Sequence, residues 1–263
     1  MKMKGTSIII VLLLIFFCLP VYTFAQESPL SRLDSIADEA LQMTKVGRFE
    51  EAKMLLEYFS EEFENVTVEE KMFSMDELRI LTVAHDDALQ SVTNTSITNE
   101  QRVNSVTTFR LVLDALSSQH QPLWTEMEDP IMSAFQQVKE AAHNKNSEAY
   151  HDTLNAFLNK YNIIQPSIKL DIPVEKVQQL DARITFIDRY RQDMMESTDA
   201  MNELSQLETE LEKLFDGVTE DEADPSLWWV IISTGSIIIL TLSYVGWKKY
   251  RGEEENKTER LKD

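Results

Sequence analysis

The sequence predicts an all-α protein: an antiparallel helical bundle outside the cytoplasm, followed by one helix that crosses the membrane. Three observations predict it. Only two glycines, Gly47 and Gly217, lie between the apolar ends of the chain, and runs that alternate apolar with polar residues are scarce. Apolar residues recur instead at spacings of three and four. An uncharged run, Leu227 to Trp247, stands directly before Lys248, Lys249 and Arg251.

Residues 1–25 read as a secretory signal peptide. Lys2 and Lys4 give a basic start, Ser7 to Leu19 is an almost wholly apolar run, and Pro20 ends it. Thr23-Phe24-Ala25 supplies small residues two apart, so cleavage is expected after Ala25. A run this short crosses a bilayer poorly, which disfavours an uncleaved anchor. Lipidation at Cys18 would want a small residue before it, and Phe17 is large. Cleavage removes the one cysteine, so the mature domain is expected to depend on its apolar core rather than on disulfides.

Residues 26–215 are expected to form the extracytoplasmic helical domain. Helix one runs from about Pro29 to Val46, with Leu33, Ala37, Ala40, Leu41 and Thr44 on one face, and Gly47 stops it. Helix two follows with Phe49, Ala52, Leu55, Leu56, Phe59 and Phe63. So short a connection makes an antiparallel hairpin. Gly47-Arg48-Phe49-Glu50-Glu51-Ala52 resembles the turn of a tetratricopeptide repeat, where glycine ends the first helix and alanine lets the second come close. One copy makes a repeat-like hairpin within a bundle, not an array.

Thr67 and Glu70 read as a capping box opening helix three, which runs to about Val92 and buries Leu78, Leu81 and Leu89. Thr98 and Gln101 form a second box for helix four, with Val103, Val106, Phe109, Leu113 and Leu116 inward. Helix five covers about Trp124 to His143, and Pro130 either kinks it or marks its start. Ser147 is the expected cap of helix six, with Tyr150, Leu154, Phe157, Leu158 and Tyr161 inward. Ile163 to Ile172, containing Pro166, reads as an extended connector.

No glycine interrupts Pro173 to Phe215. Val177, Leu180, Ile184 and Ile187 keep a seven-residue rhythm, and Leu204, Leu207, Leu211 and Leu214 keep it again, with Arg191 and Thr198 on the seam between them. This stretch is one helix about 60 Å long or two helices broken near Ser197. Met194, Met195 and Met201 read as gap-fillers. Residues 216–226 read as an acidic juxtamembrane linker, 227–247 as the transmembrane helix and 248–263 as a short cytoplasmic tail.

At 1.5 Å per residue, Leu227–Trp247 spans about 31 Å, the thickness of a hydrocarbon core. The lipid bilayer is therefore the first expected partner, through Leu227-Trp247. Trp228 and Trp229 suit the outer interface; Tyr244, Trp247 and Tyr250 suit the inner one. The lysines and arginine that follow hold the tail inside and put the bulk of the chain outside a cell membrane it crosses once.

Charge is uneven. Of 25 Lys and Arg, two lie in the signal and six in the tail, leaving 17 outside. Of 45 Asp and Glu, five lie in the tail, leaving 40 outside, a formal charge of −23. Such a surface excludes nucleic acid as a partner and disfavours docking flat on an anionic membrane. It suits a soluble, solvated domain.

Residues that might carry chemistry do not assemble in the sequence. His85, His120, His143 and His151 form no HExxH pattern. His85-Asp86-Asp87 has ligand types, but successive helical residues point about 100° apart, so they read as exposed polar positions. His143 and His151 flank a turn and supply two ligands where four are usual. No GxSxG element, phosphate loop or dinucleotide fingerprint is present. The expectation is no catalytic, cofactor-binding or metal residue and no enzyme.

Four stretches carry a resemblance. Leu33-Asp34-Ser35-Ile36-Ala37-Asp38-Glu39-Ala40 leads into Gly47-Arg48-Phe49-Glu50-Glu51-Ala52-Lys53. Arg102-Val103-Asn104-Ser105 and Leu180-Asp181-Ala182-Arg183-Ile184-Thr185-Phe186-Ile187-Asp188 follow. With the signal segment and the single C-terminal span, the chain resembles the YpjB-type sporulation proteins of endospore-forming bacteria over nearly its whole length. The resemblance implies a role in spore formation at a mother-cell or forespore membrane, and it brings no functional residues with it. The expected function is a membrane-anchored, non-enzymatic module that binds a protein partner outside the cytoplasm. The rivals are a wall-active or metal-dependent hydrolase with a cryptic site, and a structural spacer built on Pro173 to Phe215.

Overall fold

The computed structural model describes residues 29–69, 73–117, 121–192, 200–219 and 225–260. The signal segment 1–25 with Cys18, and Glu70, His120, Met194, Met195, Ser197 and Thr198, lie outside the described residues. Every element among the described residues is helical and none is a strand, as the apolar spacing predicts. The chain gathers into two compact units, Met1–Leu113 and Asp114–Asp263.

In the first unit, α1 (Pro29–Lys45) and α2 (Phe49–Glu69) pack as the expected hairpin. Gly47 sits at φ 78°, the left-handed conformation a side chain resists, and its N–H donates to the Thr44 carbonyl at 3.1 Å. The expected α1 face is buried in full: Leu33, Ala37, Ala40, Leu41 and Thr44. Ala52, Leu56 and Phe59 are buried opposite, while Phe49, Leu55 and Phe63 are half-buried.

The capping box expected at Thr67 does not open a helix, because Thr67 lies inside α2. No glycine or proline from Phe49 to Glu69 ends that helix early. The box is at Ser74 instead. Its hydroxyl accepts from Glu77 N at 3.2 Å, and Glu77 Oε2 accepts from Ser74 N at 2.6 Å, opening α3 (Met75–Thr93). Leu81, Ala84, His85, Ala88 and Val92 form its buried stripe, with Leu78 and Leu89 only half-buried. The second box is where it was expected. Thr98 Oγ1 accepts from Gln101 N at 3.2 Å and Gln101 Oε1 accepts from Thr98 N at 2.9 Å, ahead of α4 (Asn99–Ser117).

In the second unit a 3-10 turn, Leu123–Met127, leads into α5 (Glu128–His143). Pro130 therefore sits in the first turn of α5, where its missing N–H costs nothing. Ser147 is not the cap of α6 (Ser147–Asp171); Asn146 is, its Oδ1 accepting from Ala149 N at 3.1 Å. Asn146 has extended backbone just after Lys145 at φ 50°, which aims its side chain at the free N–H groups. The extended connector at Ile163 to Ile172 is also overturned, since α6 runs straight through Pro166 to Asp171. Proline forfeits one backbone bond there, while Ile163, Ile164, Ser167 and Ile168 bury a continuous face.

Pro173 to Phe215 is not one unbroken helix, and the expected break near Ser197 lies outside the described residues. α7 (Val174–Arg189) ends at Tyr190, φ −102° and ψ 32°, and α8 runs over Ala200–Thr219. Arg183 Nη1 meets Glu203 Oε2 at 2.7 Å and its Nε meets Glu210 Oε2 at 3.0 Å. In one unbroken helix residues 183 and 203 would stand about 30 Å apart. A spacer made of that unbroken rod is thereby excluded. All eight seam residues of α7 and α8 are buried. α8 continues to Thr219, α9 (Pro225–Arg260) begins at Pro225, and residues 220–224 of the expected linker lie outside the described residues.

Four helices of this unit run up, down, up and down. Tyr161 of α6 donates to Asp181 Oδ1 of α7 at 2.7 Å, and Lys139 of α5 reaches Glu208 of α8 at 2.5 Å. Trp124, before α5, packs its ring 5.7 Å from Phe215, near the end of α8. One end of this bundle therefore holds the start of α5, the α6–α7 turn and the end of α8.

Candidate functional site

The most distinctive surface is α9. Val230–Lys249 is long and apolar enough to cross a membrane, and none of it is buried against the rest of the chain. Ile239 and Leu240 are 66% and 68% exposed. Water solvates such a surface badly on every side, whereas α8 confines its apolar residues to one buried stripe.

The sequence candidates for metal ligands are scattered. Asp86 and Asp87 are exposed on α3, as expected, but His85 is not an exposed polar position. It is buried, with Phe59 stacked 5.5 Å away and Phe109 edge-on at 5.3 Å. Its Nε2 lies 2.9 Å from the Leu56 carbonyl and 3.3 Å from Ser60 Oγ. A carbonyl only accepts, so Nε2 carries the proton and ties α3 to α2. His143 is exposed and His151 half-buried. Among the described residues no three His, Cys, Asp or Glu are grouped to hold a metal.

The groups of unusual acidity are ones the sequence did not single out for chemistry. Asp171 ends α6, and its Oδ2 accepts from the indole Nε1–H of the fully buried Trp124 at 2.7 Å. Asp171 is exposed as a residue, but its carboxyl is drawn in against Trp124, and loss of water there pushes it up from 3.8 to about 6; the indole bond pulls it back and the charge of Asp114 adds to the rise. Asp114 Oδ2 accepts from Leu123 N at 2.7 Å, so two carboxylates brace two successive residues of the 3-10 turn. Asp181 accepts from Tyr161 and, at 2.8 Å, from Gln165 Nε2. Burial and that bond hold the Tyr161 phenol far above its usual acidity range. Burial likewise takes Tyr150 up to about 12.

In the first unit Arg110, 8% exposed, reaches from α4 to Asp34 of α1, Nη1 to Oδ1 at 2.8 Å. Arg102 donates to the Asn94 carbonyl at 2.6 Å and to Asn99 Oδ1 at 2.8 Å. Its guanidinium lies 4.4 Å from the ring centre of Phe49, just after the hairpin turn. These arrangements position helices.

The family model described as "Sporulation protein YpjB (SpoYpjB)" matches residues 30–259. The uncharacterized protein YpjB of Bacillus subtilis (strain 168) is 33% identical over 238 residues, covering 90% of this chain and 90% of that one. No solved structure matches.

Proposed function

Since the chain belongs to the sporulation protein YpjB family, we propose that it serves sporulation as a non-enzymatic helical module anchored by α9. In this reading residues 26–215 stand outside the cytoplasm and bind a protein partner. The carrying observation is α9 itself, uncharged from Leu227 to Trp247, with none of its apolar window buried and followed by Lys248 and Lys249. The α1–α2 hairpin supports the binding role. Its left-handed Gly47 and buried Ala52 are what a repeat-like hairpin uses to bring two helices close and present their outer faces.

Protease added to intact protoplasts should remove the domain and leave residues after Trp247; digestion of the tail alone would refute the orientation. Crosslinking in sporulating cells should recover a specific protein through the domain, and recovery of none would refute the binding role. One observation favours the hydrolase rival, the raised acidity range of Asp171 beside Asp114. Asp171→Asn separates the two readings: loss of sporulation with an unchanged protein level and fold would favour catalysis.

A further inference from the structure

We infer that the end of the second unit bearing the α6–α7 turn rests against the outer headgroup layer of the bilayer, an inference that depends on the anchoring role of α9. The two ends of the four-helix bundle differ in chemistry. The α5–α6 turn is Asn144-Lys145-Asn146, all three exposed. The α6–α7 turn is Ile172-Pro173-Val174, without a polar side chain, and Val174 is 58% exposed. An apolar turn suits an interface, but the opposite end also exposes Phe186 and Tyr190 at the close of α7, so apolar exposure alone does not choose between the ends.

The tether makes that choice. The Trp124–Phe215 and Trp124–Asp171 contacts put the α6–α7 turn beside the last turns of α8. From Thr219 to Pro225 the chain spans at most about 20 Å, so this end cannot stray far from the start of α9. The Asn144–Asn146 turn lies the length of α5 away, about 24 Å for its 16 residues. Charge sets the lipid. Exposed Glu126, Glu175, Glu212 and Asp216 outweigh Lys176 and Lys213 nearby. The contact is therefore with zwitterionic headgroups, and anionic lipid weakens it.

The test uses the full chain with Cys18→Ser, reconstituted in phosphatidylcholine vesicles that carry a headgroup-level nitroxide lipid for positions 174 and 145 and a mid-chain nitroxide lipid for position 239. Single Val174→Cys, Lys145→Cys and Ile239→Cys variants each carry an environment-sensitive fluorophore. The expected result is loss of emission at position 174 and none at 145, with the loss at 174 reduced when phosphatidylglycerol replaces half the lipid. Equal emission at 174 and 145, with quenching at 239, overturns the contact while leaving the anchor intact. Absence of quenching at 239 refutes the anchor, and the contact falls with it.

Discussion

The two compact units solve the same packing problem with different arrangements. The first gathers its core around one aromatic centre: Phe59 lies 4.8 Å edge-on from Phe109, stacks on Phe63 at 5.7 Å and on the buried imidazole of His85. The second repeats a seam, Val177, Leu180, Ile184 and Ile187 along α7 and Leu204, Leu207, Leu211 and Leu214 along α8, and divides its buried rings between separate places, Phe135 against Phe157 at 5.1 Å and Trp124 against Phe215. A centre concentrates stability in a few side chains with fixed hydrogen bonds. A seam spreads it over many that are individually replaceable.

The sharpest way to break this contrast is Phe59→Ala, which empties the place where three rings meet. It should cost about 3–5 kcal/mol in denaturant unfolding, and Leu207→Val in the seam should cost well under half as much. Equal losses would mean that the centre is no centre. Next comes His85→Phe, which keeps a ring between Phe59 and Phe109 but leaves the Leu56 carbonyl without its donor. A cost of about 1–3 kcal/mol is expected; a neutral result would make the imidazole a mere filler. Arg183→Met releases Glu203 and Glu210 at the edge of the seam and should cost about 1 kcal/mol, shrinking as salt rises.

The smallest effect is a slope. Asp171 holds its proton more tightly in the folded chain than in the unfolded one, so between pH 4 and about 6 the folded state carries more protons. The stabilisation from this group is fully present below its unfolded pKa and is lost as pH rises through the folded one. Urea titrations should show stability falling across that window, and Asp171→Asn should flatten the fall. An unchanged slope would place the titration elsewhere.

How far each unit is legible in the sequence follows from the same contrast. A seam is periodic, and period is what a sequence displays: all eight heptad positions are buried as the spacing predicts. The Gly47 stop and the Thr98 box are equally local, each written in adjacent residues. What escaped depends on distant partners. His85 read as an exposed polar position because its neighbours Asp86 and Asp87 are polar, and only Phe59 and Phe109, far along the chain, make it a core residue. Arg110 pairs with a carboxylate 76 positions away. Pro166 reads as a break locally, and the burial of Ile163, Ile164 and Ile168 overrides it. Asn146 outcompetes Ser147 as a cap through the backbone angle of Lys145, which composition does not reveal.

Trp124 has a practical consequence. Of the chain's four tryptophans the other three, Trp228, Trp229 and Trp247, sit on α9. Substituting those three with Phe leaves a single indole, bonded to the titrating carboxylate of Asp171 and pressed on Phe215. Its emission then becomes an intrinsic optical gauge, reporting without any label whether the base of the bundle has gained or lost a proton.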